Sequence, residues 1–338
     1  MAFIDDLEKK VLKQLKSQRI AFLLGAGSSY LDGKGYPLMA DLWGEIKKDI
    51  PEAEREDIQQ KLNDGANGIE NALDLLDNGG VNETSHRHHV TRAIAAHFSK
   101  LTPDLKPHSH FLKNCSQWAN GGMVTIFSLN YDPLIERASE AEKIRVVDGF
   151  IGFEGAFFDA KVFQEDMVVI RRGLMRREYT PVHGIVRLYK LHGSVGWYMS
   201  SDNISRRCVF NAIPDGAKHL MVPPQKRKSS DTMTVPYVNL WSELRGMLRQ
   251  GQRPMIHRLF SVGYGMEDEH VNALLESGLA RTDFTLIILA KKLSDLAFNR
   301  WSSRSNVIIV TNERSSLNGV VGLGHDDLWS FERLSKGG

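Results

Sequence analysis

Residues 3–18 place Leu7, Val11, Leu12 and Leu15 on one helical face with lysines and acids opposite, which predicts an amphipathic first helix. The apolar run IAFLL at 20–24 predicts a buried strand. From 38 to 118 the spacing is mainly helical, through LMADLWGEIKKDI, EREDIQQKL, GIENALDLLDN and a long segment from Thr84 to Ser99. Pro51, the Asn63–Gly68 stretch and Asn78-Gly79-Gly80 break it. A second β-branched run, MVTIFSLN at 123–130, is followed by similar ones at 144–147, 185–191, 256–262, 284–289 and 306–311. Helical patterns such as EDEHVNALLESGLA and KLSDLAFNRW lie between several of them. Strands alternating with helices imply an α/β fold: a parallel sheet with helices on both faces, here with a helical subdomain inserted after the first strand. Ligands of such sheets sit at the carboxyl ends of the strands. Residues 200–236 are polar and read as a long surface excursion, a lid or contact arm.

Composition narrows the class. A chain of 338 residues with 42% hydrophobic and 25% charged content can bury a full core and is not a disordered polymer. No apolar stretch approaches the ~20 residues of a membrane span. The N-terminal MAFIDDLEKKVLKQLKSQ is charged throughout and lacks the apolar segment of a secretory signal, so a cytoplasmic protein is expected. Cys115 and Cys208 are far apart with no CxxC spacing, which excludes a cysteine zinc ribbon and fits a reducing compartment. A net charge of +2 does not by itself indicate a nucleic-acid binder.

Three stretches carry candidate chemistry. The first, Gly25-Ala26-Gly27-Ser28-Ser29, follows the first strand. A strand feeding Gly-x-Gly into a helix offers bare backbone N–H groups to a pyrophosphate, and a Cβ there would block the approach. A dinucleotide fingerprint would have its third glycine where Tyr30 stands, so an ordinary hydride-transferring dehydrogenase is disfavoured; a plain structural turn is the alternative. The second is SLNYDPLIERA at 128–138, in which Asn130 and Asp132 would share a face of an extended segment. An Asx turn or helix cap before Pro133 accounts for them equally. The third, YKLHGSVGWY at 189–198, leaves His192 at a strand end, suited to general-base work, or else to a place in the core.

Taken in order, strand-GAGSS, strand-SLNYD, KLHGS, SVGYGMEDE at 261–269 and IIVTNE at 308–313 resemble the sirtuin family over roughly residues 20–335. Its pieces are a GAG loop, an NID-type motif, a catalytic histidine within HG, a glycine-containing turn and an asparagine in IN-x-E. The N-Y-D and L-H-G-S forms are most similar to the sirtuin-like proteins of bacterial antiphage defence. The resemblance implies a Rossmann-like domain over 20–37 and 119–335, preceded by an N-terminal helix at 1–19 and interrupted by a helical subdomain at 38–118. It implies NAD as substrate, with Gly25, Ala26, Gly27 and Ser28 around the phosphates and Asn130 and His192 as the catalytic pair. Asp132 would face the nicotinamide carboxamide, and Gly263, Asn312 and Glu313 the adenosine half. Asp148-Gly149-Phe150 resembles a DGF element of the defence-type proteins.

The departures from the family shape the expected activity. The zinc-binding cysteine pairs of the protein-deacylating sirtuins are absent, so no zinc is expected. Gly35-Tyr36-Pro37-Leu38-Met39 stands where those enzymes have G-I-P-D-F-R, and Leu129 stands where they place glutamine. The implied activity is therefore NAD hydrolysis to nicotinamide and ADP-ribose by an abortive-infection effector. A non-catalytic NAD or ADP-ribose sensor is the alternative, followed by protein ADP-ribosylation or deacylation. Homo-oligomerisation and a partner ATPase or nucleic-acid-guided sensor are expected by the same resemblance, with no membrane association.

Two other features carry less. His86, His88, His89, His97, His108 and His110 suggest a metal reservoir, but only His86 and His89 share a helical face and no HExxH spacing occurs, so exposed or helix-packing histidines are expected. The basic IRRGLMRR at 170–177 reads as a solvated helix face that could contact phosphates or an acidic patch on another subunit.

Overall fold

The computed structural model describes residues 2–66, 68–77, 85–118, 122–172, 177–209, 212–221, 234–249 and 255–337. Helix α1 (Ala2–Leu15) leads into β1 (Ile20–Leu24) and the four-residue α2 (Gly27–Tyr30). A helical layer follows: α3 (Met39–Ile46), α4 (Glu52–Asn63), α5 (Gly68–Leu76) and α6 (Ser85–Ser99), then α7 (Lys106–Trp118). Next come β2 (Met123–Ser128), α8 (Leu134–Ala141), β3 (Arg145–Val147), β4 (Phe150–Ile151), β5 (Ala156–Phe158), β6 (Val168–Arg172) and β7 (Arg177–Pro181). The chain continues through β8 (Ile185–Lys190), β9 (Gly193–Met199), β10 (Ser205–Arg207), β11 (Lys218–Met221) and α9 (Tyr237–Leu248). It closes with β12 (Arg258–Val262), α10 (Glu269–Leu279), β13 (Thr285–Leu289), α11 (Asp295–Ser302), β14 (Val307–Val310), β15 (Arg314–Leu317), β16 (Val320–Leu323) and α12 (Phe331–Ser335).

Among the described residues the main sheet has nine strands in the order β16-β15-β14-β13-β12-β1-β2-β8-β3. Strands β14 through β3 pair in parallel, and β15 and β16 return antiparallel at one edge. The chain passes from β1 to β2 on one side and comes back to β12 on the other, so the order reverses at β1. In open α/β sheets a ligand crevice lies at such a switch point, outside the carboxyl ends of the strands.

Strand alternation splits the core in two. Ala21 and Leu23 of β1, Leu259 of β12 and Leu286 and Ile288 of β13 face a cluster with Leu240 and Trp241 of α9, Leu275 of α10 and Trp301 of α11. Phe22 and Leu24, with Phe260, Val262, Ile287 and Leu289, face Leu7 and Val11 of α1, Phe111 and Cys115 of α7, and Phe331 of α12. Each Leu, Val, Ile or Phe among them contributes about 1.5–3 kcal/mol on leaving water, and burial on both sides explains why these strands read as continuous apolar runs. Helix α7, grouped by sequence with the helical subdomain, thus packs its apolar face on the main sheet. The third cluster belongs to the helical layer: Leu42 and Ile46 of α3, Ile58 of α4, Leu73 of α5 and Ile94 and Phe98 of α6 enclose Tyr131 from the loop after β2.

Two further expectations are corrected. The segment at 170–177 is not a helix face: Val168–Arg172 and Arg177–Pro181 form an antiparallel ribbon, with residues 173–176 outside the described ones. Exposed Val168, Val169 and Ile170 fit that assignment, since β-branched residues favour strands. The polar stretch at 200–236 holds two strands as well, β10 and β11, which flank β9 in a five-stranded antiparallel sheet with β5 and β4; residues 210, 211 and 222–233 of that stretch lie outside the description.

Candidate functional site

The register of the parallel strands aligns the candidate residues. Ser128 of β2 pairs with Lys190 of β8, so Asn130 and His192 each lie two residues beyond one rung of the ladder. Leu24 pairs with both Ser128 and Val262, which puts Gly25 and Gly263 one step beyond that rung. Leu289 pairs with Val262 and Val310, and Asn312 lies two residues past Val310. All of them therefore stand along the carboxyl edge of adjacent strands about 4.8 Å apart.

The GAGSS loop is held from two sides. On one side, Gly25 N–H donates to Val262 O at 2.9 Å and Gly27 N–H to Gly263 O at 2.8 Å. A Cβ on Gly25 would lie 2.6 Å from Tyr264 Cα, one on Gly27 2.8 Å from Gly263 Cα, and one on Gly263 2.6 Å from Gly27 C. These glycines are required because two backbone loops interlock, with Gly263 at φ +67°. The interlock gives these glycines a structural role beside the one expected at the phosphates. Ala26 and Gly27 are nonetheless exposed, whereas Ser28 and Ser29 are buried.

On the other side stands Asn130. Its Nδ2 donates to Gly25 O at 3.0 Å, Ser29 Oγ at 2.9 Å and Ser28 Oγ at 3.2 Å. A carbonyl can only accept, so the carboxamide nitrogen must face Gly25 and Oδ1 is turned the other way. Ser28 Oγ also donates to Gly25 O at 2.8 Å. Asn130 is thus not a helix cap, and Asp132 makes an Asx turn before α8, its Oδ1 accepting from Leu134 N–H at 3.0 Å while Pro133 holds the N-cap position. Burial raises the Asp132 carboxyl above its ordinary range, opposed by the Lys190 ammonium and by hydrogen bonds from Leu134 and Ser29. Through Ser29, Asp132 is joined to the same loop that Asn130 holds.

Lys190 went unassigned in the motif it begins. Its side chain is 1% exposed, and Nζ donates to Tyr131 O, Asp132 O, Ser194 Oγ at 2.7 Å and Glu136 Oε1 at 3.0 Å. One buried ammonium therefore fastens the N-Y-D turn to the start of β9. Only the position of a lysine inside an apolar run, LYKL, signalled it.

His192 is buried beside Tyr131 and Trp241, with ring centroids 6.5 and 5.9 Å away. Its Nε2 lies 3.6 Å from Asp268 Oδ2. Asp268 caps α10, accepting from His270 N–H at 3.0 Å and Val271 N–H at 3.4 Å, and its own N–H donates to Tyr264 Oη at 2.8 Å. Burial first, and then the Asp268 charge, pushes the Tyr264 hydroxyl well above the usual tyrosine range, so it is a neutral hydrogen-bonding group.

Asn312 and Glu313 are not gathered into this cluster. Both are exposed, and Glu313 pairs at 3.1 Å with Lys292. Thr311 Oγ1 accepts from the N–H groups of Glu313 and Arg314 and fixes their turn. Asp148 is buried after β3, accepts from Phe150 N–H and pairs with Arg207, whose guanidinium also lies 5.4 Å from the Phe150 ring centroid. The DGF element therefore joins the main sheet to the antiparallel one. Two histidines of α6 are tied to α4, His86 to Asp57 at 3.0 Å and His89 to Glu54 at 2.6 Å, and among the described residues no three His, Cys, Asp or Glu side chains are grouped to hold a metal. No described helix is long and apolar enough to cross a membrane.

The SIR2-like domain model matches residues 124–309, more than half of the chain. The chain belongs to the SIR2-like domain family. That match covers Asn130, Asp132, His192 and Gly263, whereas the GAGSS loop and Asn312 lie outside it. Solved structures similar to this SIR2-like chain include a sirtuin studied for substrate affinity, 14% identical, with 97% of each chain covered and a TM-score of 0.45. A mutant Sir2 homologue in complex with ADP-ribose is 13% identical over 97% of this chain and 95% of its own, with a TM-score of 0.45. A Sir2 enzyme studied for mechanism and regulation is 13% identical over 90% and 92%, with a TM-score of 0.41. No curated protein gives a significant match.

Proposed function

We propose that this SIR2-like chain is an NAD glycohydrolase. The observation that carries the reading is the alignment of Asn130 and His192 two residues past the same rung of β2 and β8, next to the exposed Ala26-Gly27 tip at the switch point. A dinucleotide fits such an edge: its phosphates meet open backbone at Ala26 and Gly27, its nicotinamide ribose reaches Asn130 and His192, and its adenosine half runs toward Gly263 and Asn312. Membership of the SIR2-like domain family supports this ligand class. In the proposed hydrolysis the C1′–N bond breaks and nicotinamide leaves with the bonding pair, its pyridinium charge neutralised. Water forms the new C1′–O bond and gives its proton to His192, while Asn130 Oδ1 accepts from a ribose hydroxyl. General-base help of this kind supplies about 10²–10⁴-fold, and positioning most of the remainder.

Motif similarity to sirtuin-like antiphage proteins supports a defence role in the cytoplasm, with activity controlled by self-assembly and by a partner ATPase or nucleic-acid-guided sensor. The direct test is chromatography of nicotinamide and ADP-ribose after incubation with NAD, for the wild type, Asn130→Ala and His192→Ala, each alone and with the product of any neighbouring ATPase gene. Release by the wild type and loss in both folded variants is the expected result. Wild-type turnover in His192→Ala removes histidine from the reaction, and NAD binding without release in any arm leaves a sensing module.

A further inference from the structure

We infer that the open edge of β6 is a self-association surface, on which a second copy of this chain seats its own β6 antiparallel. This surface gives the self-assembly proposed above a place; it rests on that part of the proposed function and not on the hydrolysis. Among the described residues β6 and β7 pair only with each other, and a lone two-stranded ribbon is marginal in water. Val168, Val169 and Ile170 of β6 are 40, 49 and 50% exposed, and Tyr179 of β7 is 60% exposed. Successive residues of a strand point to opposite faces, so both faces of the ribbon are apolar and open to water. Its two edges differ. Val182 N–H donates to Met167 O at 2.9 Å, and Val168 lies opposite Pro181 in the register. Inward and outward backbone groups alternate along an antiparallel pair. Val168, Ile170 and Arg172 therefore turn their N–H and C=O away from β7, while Arg177, Tyr179 and Pro181 turn theirs away from β6. Proline has no N–H to offer, which blunts the β7 edge; no proline interrupts β6.

The sequence of that edge selects its occupant. It runs Glu165-Asp166, then Met167-Val168-Val169-Ile170, then Arg171-Arg172: acidic, apolar, basic. Such a strand complements itself when reversed, whereas a parallel copy would set acid beside acid and base beside base. With a two-fold axis at Val169, Val168 of each copy lies opposite Ile170 of the other, and the outward amides and carbonyls of both are used. The same register sets Asp166 opposite Arg172 at both ends of the new pair, and opposite charges facing across strands are stabilising. Glu165 and Asp166 are exposed, and the ion pair of Asp166 with Arg187 spans 3.7 Å with the Asp166 side chain 85% exposed. The outcome is a four-stranded sheet in the order β7-β6-β6-β7. Within each ribbon Tyr179 lies opposite Ile170 and Val168 opposite Pro181, so across the joint these four positions form one continuous apolar row. A nucleic acid would meet the arginines but leave the acidic start and apolar middle of the strand without a role.

The test is sedimentation velocity over a dilution series, without NAD, on the full chain as wild type, Asp166→Arg, Arg172→Asp and the double variant. Arg172 lies opposite Arg177 in the ribbon, so Arg172→Asp removes a like-charge pair there and does not weaken the ribbon itself. The wild type is expected to sediment as two chains of 38.1 kDa each and to fall to one on dilution. Each single variant is expected to raise the dissociation constant about tenfold or more, because both symmetry-related pairs become like-charged. The double variant, and an equimolar mixture of the two single variants, are expected to return to the wild-type value, since each restores opposite charges at both ends. Unchanged association in either single variant, or no recovery in the double variant, overturns this surface and leaves the self-assembly to another face. A wild type that stays monomeric, including one that binds a duplex DNA oligonucleotide instead, overturns both the surface and the self-assembly.

Discussion

Gly263→Ala separates the two roles a glycine-lined loop can have. The added methyl would lie against Ser28 N and 2.6 Å from Gly27 C, both backbone atoms with no rotamer to change, and at φ +67° an L-residue is strained whatever the space. The left-handed conformation costs about 1–2 kcal/mol. Forcing the loops apart also lengthens the Gly27 to Gly263 and Gly25 to Val262 hydrogen bonds, worth about 0.5–1.5 kcal/mol each. Together the loss is about 2–5 kcal/mol, or a fall in Tm of roughly 2 °C per kcal/mol in a chain of this size. Differential scanning calorimetry on the ligand-free variant measures it. A variant with the wild-type Tm that fails only to bind NAD refutes the interlock and returns these glycines to the phosphate cradle.

Three other outcomes are expected. Asn130→Asp lowers Tm more than Asn130→Ala by scanning fluorimetry, because a carboxylate oxygen would replace the donor that faces Gly25 O. Lys190→Met lowers stability in urea titration by about 3–5 kcal/mol, since it leaves Glu136 and two loop carbonyls without their buried donor, and Glu136→Gln in the same chain recovers part of the loss. His108 is fully buried against the Phe331 ring, and desolvation lowers its pKa to about 3. The unfolded chain therefore takes up a proton below pH ~6.5 that the native one refuses. Stability falls as pH drops from there toward 3, by about 2 kcal/mol at pH 5, and His108→Leu removes that slope in urea unfolding at pH 7.5 and 5.0.

The central strands were legible because they are buried on both faces: IAFLL, MVTIFS, TLIIL and VIIV are apolar or β-branched at nearly every position. The antiparallel sheet was not, since β4, β5 and β10 are two or three residues long and β9, GSVGWYM, carries two glycines. Helix α9, YVNLWSELRGML, was passed over beside the polar stretch that precedes it. In IRRGLMRR the charge overshadowed the β-branched Val168, Val169 and Ile170 at its start, although Val168–Arg172 form a strand. Gly25, Asn130, His192 and Gly263 could be picked out because each directly follows a legible strand and the sheet order brings those ends together. Asp268 could not, because only the fold brings it near His192, and neither could the buried charge of Lys190, whose partners are mostly backbone oxygens. Asn312 and Glu313 show the converse: they follow a legible strand, yet no described side chain draws them toward the Asn130 cluster.

The interlocked glycines also constrain how this sequence can change. Gly27 on one loop and Gly263 on the other each fill the space that a Cβ on its counterpart would need, and a Cβ on Gly25 would meet Tyr264 and the Gly263 carbonyl. No one of them can acquire a side chain while the other two stay as they are. Across descendants of such a chain these three positions are inherited as one character, and a lineage that loses glycine at one of them must rebuild both loops or abandon the crevice altogether.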